Sequence, residues 1–191
     1  MNSSSKVNSN SKAKRYAPIT IGMHWVMLLL MVAIYATMEL KGIFPKGSDA
    51  RAAMAQLHYM LGLSALALVL ARIVVNRFTR TPQVVPDPPR WQQISAKSMH
   101  VALYALMIGL PVLGWLILSA KGQAIPFWGY DLPPLIGANA SLGKWLKNVH
   151  EFGATAGYFL VGAHAAAALV HHYVIRDNTL ARMVPGIESP R

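Results

Sequence analysis

The chemistry open to this chain rests on seven histidines. It has no cysteine, which excludes disulfides, thiolate-held clusters, cysteine-ligated zinc and thiol catalysis. Any metal or cofactor must be held by His, Met or a carboxylate. All seven histidines (His24, His58, His100, His150, His164, His171 and His172) lie in or at the ends of long apolar stretches. An ionisable residue in such a setting is costly and is a functional candidate by default. His150 and His164 are 14 residues apart. In an α-helix that interval rises about 21 Å and returns to within about 40° of the starting face. One helix face therefore presents two imidazoles at two depths.

The elements that position them are long and apolar. The 191 residues are 54% hydrophobic and 13% charged, against about 25% charged in soluble domains. Four apolar stretches run from about Ile19 to Leu40, Ala52 to Val75, Met99 to Ala120 and Trp145 to Tyr173. Each reaches the roughly 20 residues that cross a hydrocarbon core of about 30 Å. The first is too long for a signal-peptide core and has no clear cleavage site, so it is read as a retained helix. Between the stretches lie a turn-rich loop at Lys41–Gly47, a Pro-rich linker at Thr79–Pro89 and a longer loop at Lys121–Lys144, whose short amphipathic piece the sequence leaves undecided. The fold expected is all-α, an integral membrane four-helix bundle over residues 18–183, with a disordered tail at 1–17 and a C-terminal tail at 184–191.

The net charge of +11 does not form one amphipathic surface, so nucleic acid is not the expected partner; membrane lipid is. Twelve of the eighteen Lys and Arg fall on the N-terminal tail, the second loop with its flanks, and the C-terminus. By the positive-inside rule both termini are cytoplasmic. The other six, Lys41, Lys46, Arg51, Lys121, Lys144 and Lys147, then lie on the outer side. They are candidates for attracting an anion, or are ordinary solvated and headgroup-facing charges.

With that orientation His58 and His150 share the outer level, and His24 and His164 the inner one. Two His pairs at two levels in a bundle suit two bis-His haems, imidazole being a common axial ligand and bundle cores the usual place for such cofactors. A lone membrane His also serves simply to bond a neighbouring helix; four at matched depths on three helices weigh against that. Arg72 follows His58 by the same 14 residues, which places it level with the inner haem as a propionate partner or as a snorkelling anchor. Gly62, Gly153, Gly157 and Gly162 flank the ladder. They would let a flat macrocycle approach, although Gly153 and Gly157 form a GxxxG that favours helix packing. The five Trp are read as interfacial belt and the ten Met as filler. His100, His171 and His172 remain near the cytoplasmic end. With Asp177 they are candidates to bind a quinone carbonyl and pass it protons, or are solvated interfacial residues.

The stretch Gly157-Tyr158-Phe159 through GAHAAAALVHHY to Asp177-Asn178-Thr179-Leu180 resembles the last helix of the bacterial cytochrome b561 family. The segment AIYATMELKGIFPKGS, after Ile21-Gly22-Met23-His24-Trp25, is similar to the family's superoxide oxidase branch. The resemblance runs from about Tyr16 to Met183. It implies a bacterial inner-membrane protein with two b haems, His58 and His150 on the periplasmic one and His24 and His164 on the cytoplasmic one. It also implies that superoxide gives electrons at the periplasmic face and that ubiquinone receives them, with no protein partner required. Two rivals differ in class. One is a di-haem electron-transfer subunit relaying between a dehydrogenase or other partner and quinone. The other is a non-redox, His-lined metal or proton transporter, against which the lack of broken inverted repeats argues.

Overall fold

The computed structural model describes residues 15–188. Of the tail expected at 1–17 and the one at 184–191, residues 1–14 and 189–191, with Lys6, Lys12, Lys14 and Arg191, lie outside the described residues. Four long helices carry the chain: α1 (Pro18–Lys41), α2 (Asp49–Phe78), α3 (Arg90–Ala120) and α4 (Ala140–Val170), the last continued by a π-helical turn at His171–Ile175. All four are long and apolar enough to cross a membrane.

Their boundaries follow local chemistry. Pro18 opens α1, where its missing N–H is harmless. Ser48 caps α2 by accepting from the Arg51 amide at 3.3 Å, with Asp49 in the positive first turn. Asn139 caps α4 by accepting from the Leu142 amide at 3.0 Å. Helix α3 begins at Arg90, well before the expected Met99, because an apolar count registers only the lipid-facing part and misses the polar opening turns. It runs through Pro111. In the loop between α3 and α4 the undecided segment is a two-stranded hairpin, β1 (Pro126–Phe127) with β2 (Tyr130–Asp131). Ile125 and Phe127 seal it onto Leu63 of α2 and Leu118 of α3, and the Trp128 indole donates to Ser64 Oγ at 2.9 Å.

Helices pack in chain order, α1 on α2, α2 on α3 and α3 on α4; among the described residues α4 makes no backbone-level packing with α1 or α2. Side chains span that separation instead. The Tyr35 hydroxyl donates to the Ala154 carbonyl at 2.8 Å, and the Tyr158 hydroxyl to Glu39 at 2.9 Å. The buried core is correspondingly small. Met27, Ala65 and Val69 join α1 to α2, and Ile117, Ala120 and Leu146 join α3 to α4. Large apolar side chains such as Leu29, Phe78 and Phe159 face outward, as a lipid-bathed bundle requires.

One end of the bundle is tied together. Asn178 exchanges two bonds with the Val85 backbone at 3.2 and 2.9 Å and donates to Gln83 O. The buried Arg182 donates to Pro82 O at 2.6 Å and stacks over Tyr16. The Tyr16 amide reaches Arg182 O, the Arg15 guanidinium reaches Ile187 O, and the Trp25 indole reaches Met183 O. Arg15 and Tyr16 are therefore docked on the C-terminal segment.

Candidate redox-cofactor site

Two pairs of imidazoles face each other across the separation between α4 and the α1–α2 pair. His58 on α2 and His150 on α4 have ring centroids 6.2 Å apart, with planes at 70°. His24 on α1 and His164 on α4 are 6.3 Å apart, with planes at 62°. A metal–imidazole bond is about 2 Å, so a metal held between two trans imidazoles puts their centroids roughly 6 Å apart. Both separations match that value.

At the His58–His150 pair one ring is oriented for it. His58 Nδ1 lies 3.1 Å from the Ile34 carbonyl and 3.3 Å from Thr37 Oγ1, and the Thr37 hydroxyl itself donates to Ile34 O at 2.6 Å. A carbonyl at Nδ1 keeps the proton there and leaves Nε2 as the electron-pair donor, the arrangement usual for metal-ligating histidine. His150 Nδ1 is buried near the α3 backbone at Leu110 without a hydrogen-bond partner. A Cβ on Gly114 of α3 would stand 3.7 Å from His150 Cε1, an ordinary contact. A Cβ on Gly62, one turn below His58, would meet nothing within 4 Å. Open space on the face that carries His58 fits a flat macrocycle. Gly153 and Gly157 differ, because added Cβ atoms would strike Leu110 and Tyr35 at 2.8 and 2.2 Å. They are packing glycines. A Cβ on Gly162 would also meet nothing within 4 Å. The donor set, the separations and the backbone spacing all fit two haems.

Arg72 lies within electrostatic reach of His24 and His164. Its Nη1 donates to Thr20 O at 3.0 Å and its Nε to the Tyr104 hydroxyl at 3.3 Å. Asn76 donates to the same hydroxyl at 3.1 Å. The arginine is thus tied to the first turn of α1 and to α3 beside the His24–His164 pair.

The remaining histidines separate. His100, on α3, lies against His164 with centroids 5.5 Å apart. His171, in the π-helical turn, has Nδ1 2.5 Å from Asp177 Oδ2. His172 packs its ring on Tyr173 at 4.8 Å. Asp177 is almost fully buried and also accepts from the Thr179 amide at 2.8 Å. Burial alone would raise its carboxyl, but the hydrogen bonds from His171 and Thr179 outweigh that and hold it below the usual carboxylate range.

The basic residues at the His58–His150 end converge from α1, α2, the α3–α4 loop and α4. Lys41 is within electrostatic reach of Arg51, Lys121 and Lys147. Arg51 is anchored on the Lys41 and Phe44 carbonyls at 2.9 Å each. Lys121, Lys144 and Lys147 line a depression of about 500 Å³ with Asn139. Lys147 pairs with Glu151, and Lys46 stands exposed on the α1–α2 loop. Lys41 acts on His58 and Lys147 on His150, so the patch borders the outer pair. Tyr35, Thr37 and Tyr104 were not singled out from the sequence. Each is a hydroxyl inside an apolar run, and that was the available signal.

A family model described as prokaryotic cytochrome b561 matches residues 15–186. "Cytochrome b561 homolog 1" of Escherichia coli is 40% identical over 171 residues, covering 90% of this chain and 97% of that protein. "Probable superoxide oxidase CybB" of Yersinia pestis is 37% identical over 172 residues, covering 90% and 97%. "Cytochrome b562" of Cereibacter sphaeroides is 28% identical over 173 residues, covering 88% and 94%.

Proposed function

Because the chain belongs to the prokaryotic cytochrome b561 family of membrane electron-transfer proteins, for which haem b is the implied cofactor, we propose that it is a di-haem superoxide:ubiquinone oxidoreductase of the bacterial inner membrane. The observation that supports the two-haem part is the two imidazole–imidazole separations, 6.2 and 6.3 Å, at two levels of the bundle. Bound haem supplies one-electron chemistry at each depth. Two superoxide ions, one ubiquinone and two protons give two molecules of oxygen and one ubiquinol.

The chain's own residues serve that reaction in definite ways. His58 and His150 would hold the outer haem, and His24 and His164 the inner one; removing one electron from superoxide would need no further site on either. Lys41, Arg51, Lys121, Lys144 and Lys147, with Lys46 nearby, draw the anion to the outer pair. Arg72 would pair with a propionate of the inner haem. His171, oriented by Asp177, hands a proton to quinone at the inner end, with His172 beside it in the same turn. Both termini are cytoplasmic, which makes the outer pair periplasmic.

The superoxide assignment draws support from the basic patch and from the name of the Yersinia relative. Two other relatives are named only as cytochromes, which keeps the partner-fed electron-transfer subunit as the second reading. Membership of an electron-transfer family sets the non-redox transporter aside. The deciding experiment pulses superoxide into purified protein with ubiquinone in lipid. Haem reduction followed by ubiquinol formation is expected. Haem that stays oxidised under the pulse, yet is reduced by a co-purifying protein, would establish the subunit reading instead.

A further inference from the structure

Helix α3 supplies no member of either histidine pair, yet it sends His100 against the inner one. The His100 and His164 rings meet edge to face, 5.5 Å between centroids with planes at 74°. His24, across the pair, is farther at 6.3 Å. At the other pair the Ile34 carbonyl provides for His58 Nδ1, while His150 Nδ1 is buried near the Leu110 backbone without a hydrogen-bond partner. At His164 the neighbour is a third ring. Among the described residues its contacts are the rings of His24 and His100, with no carbonyl, hydroxyl or carboxylate acceptor. A metal-bound imidazole with Nε2 on the metal carries its proton on Nδ1, and the acceptor of that proton fixes the ring plane and the basicity of the ligand. An N–H···N bond of about 3 Å places two imidazole centroids roughly 5 Å apart; at 5.5 Å the two rings stand just beyond that and make no hydrogen bond as they lie.

We propose that His100 is the hydrogen-bond acceptor for the Nδ1–H of His164 and thereby a positioning residue of the inner haem. The proposal rests on the two-pair haem reading above. The face of α3 that carries His100 carries Tyr104 one turn on, and Tyr104 holds the Arg72 guanidinium at the same level. One helix without a ligand thus furnishes the second layer of the inner site. An accepted proton makes His164 a stronger electron donor to iron, which lowers the potential of that haem; second-layer hydrogen bonding is one of the protein's standard levers on haem potential.

The test compares His100→Phe, which keeps a ring and loses the acceptor, with His100→Gln, which restores an acceptor oxygen. Redox titration and low-temperature EPR read each haem separately, and His164→Ala first identifies which signals belong to the inner one. In His100→Phe the inner haem should become easier to reduce, its oxidised-to-reduced ratio at fixed potential shifting about tenfold, or about 59 mV for a one-electron couple. Its low-spin EPR signal should move with it, while the outer haem stays put as internal standard. His100→Gln should return both readouts most of the way. Inner-haem signals that are unchanged in the Phe variant, or that change equally in the Phe and Gln variants, overturn the assignment. If His164→Ala loses neither haem, the two-pair reading itself has failed, which is a different result from an unchanged His100→Phe spectrum.

Discussion

Tyr35 shows how finely single residues set the spacing between the helix pairs. Its hydroxyl donates to Ala154 O at 2.8 Å, and its ring packs at a tilt against Tyr158, 4.2 Å between centroids. Only the missing Cβ of Gly157 lets the hydroxyl in, since a methyl there would stand 2.2 Å from it. Gly157→Ala should therefore displace Tyr35 and destabilise the protein by roughly 1–3 kcal/mol, the usual range for overpacking a tight contact. Tyr35→Phe removes the hydroxyl, and the next ring atom stands 3.5 Å from that methyl, an ordinary contact. The double variant should then be more stable than the sum of the two single losses predicts. Thermal unfolding of the four proteins, followed by haem absorbance, measures the coupling; strictly additive losses would show that the contact carries no strain. The sequence spoke unevenly at this scale. His150 and His164 were legible because 14 residues is close to a whole number of helical turns. Tyr35, Thr37 and Tyr104 were not, because a hydroxyl in an apolar helix gives no sign of which neighbouring backbone it will meet.

The segment after the π-helical turn behaves as a clasp. Arg176 ends that turn in the left-handed region at φ 60°, and the chain then folds back so that Asn178 and Arg182 grip the linker between α2 and α3. Asp177 is the buried pivot, bonded to His171 and to the Thr179 amide. Its carboxyl is depressed in the folded protein, so the unfolded chain binds its proton more readily than the folded one. The stabilisation is complete above the ordinary carboxylate value of 3.8 and is lost as pH falls through the lower folded-state value. Asp177→Asn should cost about 1–3 kcal/mol at neutral pH, the range for disturbing a buried hydrogen-bonded group. It should also flatten the acid limb of the stability profile. Equal acid sensitivity in wild type and variant, in urea unfolding across pH, would rule Asp177 out as its source. The four spans were legible as apolar runs of sufficient length. The clasp, the hairpin and the early start of α3 were not, because Asn178–Val85 and Trp128–Ser64 are contacts between segments that share no periodicity.

At the scale of the whole molecule, charge is distributed to match the direction of flow proposed for it. The outer cations gather from the end of α1, the start of α2 and the two ends of the hairpin loop, beside a pair of histidines otherwise enclosed by apolar helices. Such a patch raises the encounter rate of an anion by focusing the field, and it acts on the encounter and not on the electron-transfer step. Added salt screens it: the Debye length is about 10 Å at 0.1 M and about 30 Å at 0.01 M. The second-order rate of haem reduction by superoxide should therefore fall as ionic strength rises. Replacing Lys41, Lys121 and Lys144 together by Gln should slow the reaction roughly tenfold at low salt, the lower end of steering effects, and make it nearly salt-independent. Lys147 is left in place because Glu151 already offsets its charge. The measurement is pulse-generated superoxide against ionic strength, with haem content and both midpoint potentials checked in the variant. A wild-type rate that does not respond to salt would show that the patch faces lipid headgroups and steers nothing. A variant slowed equally at all ionic strengths would instead place the lysines in the transfer step, at the edge of the outer haem.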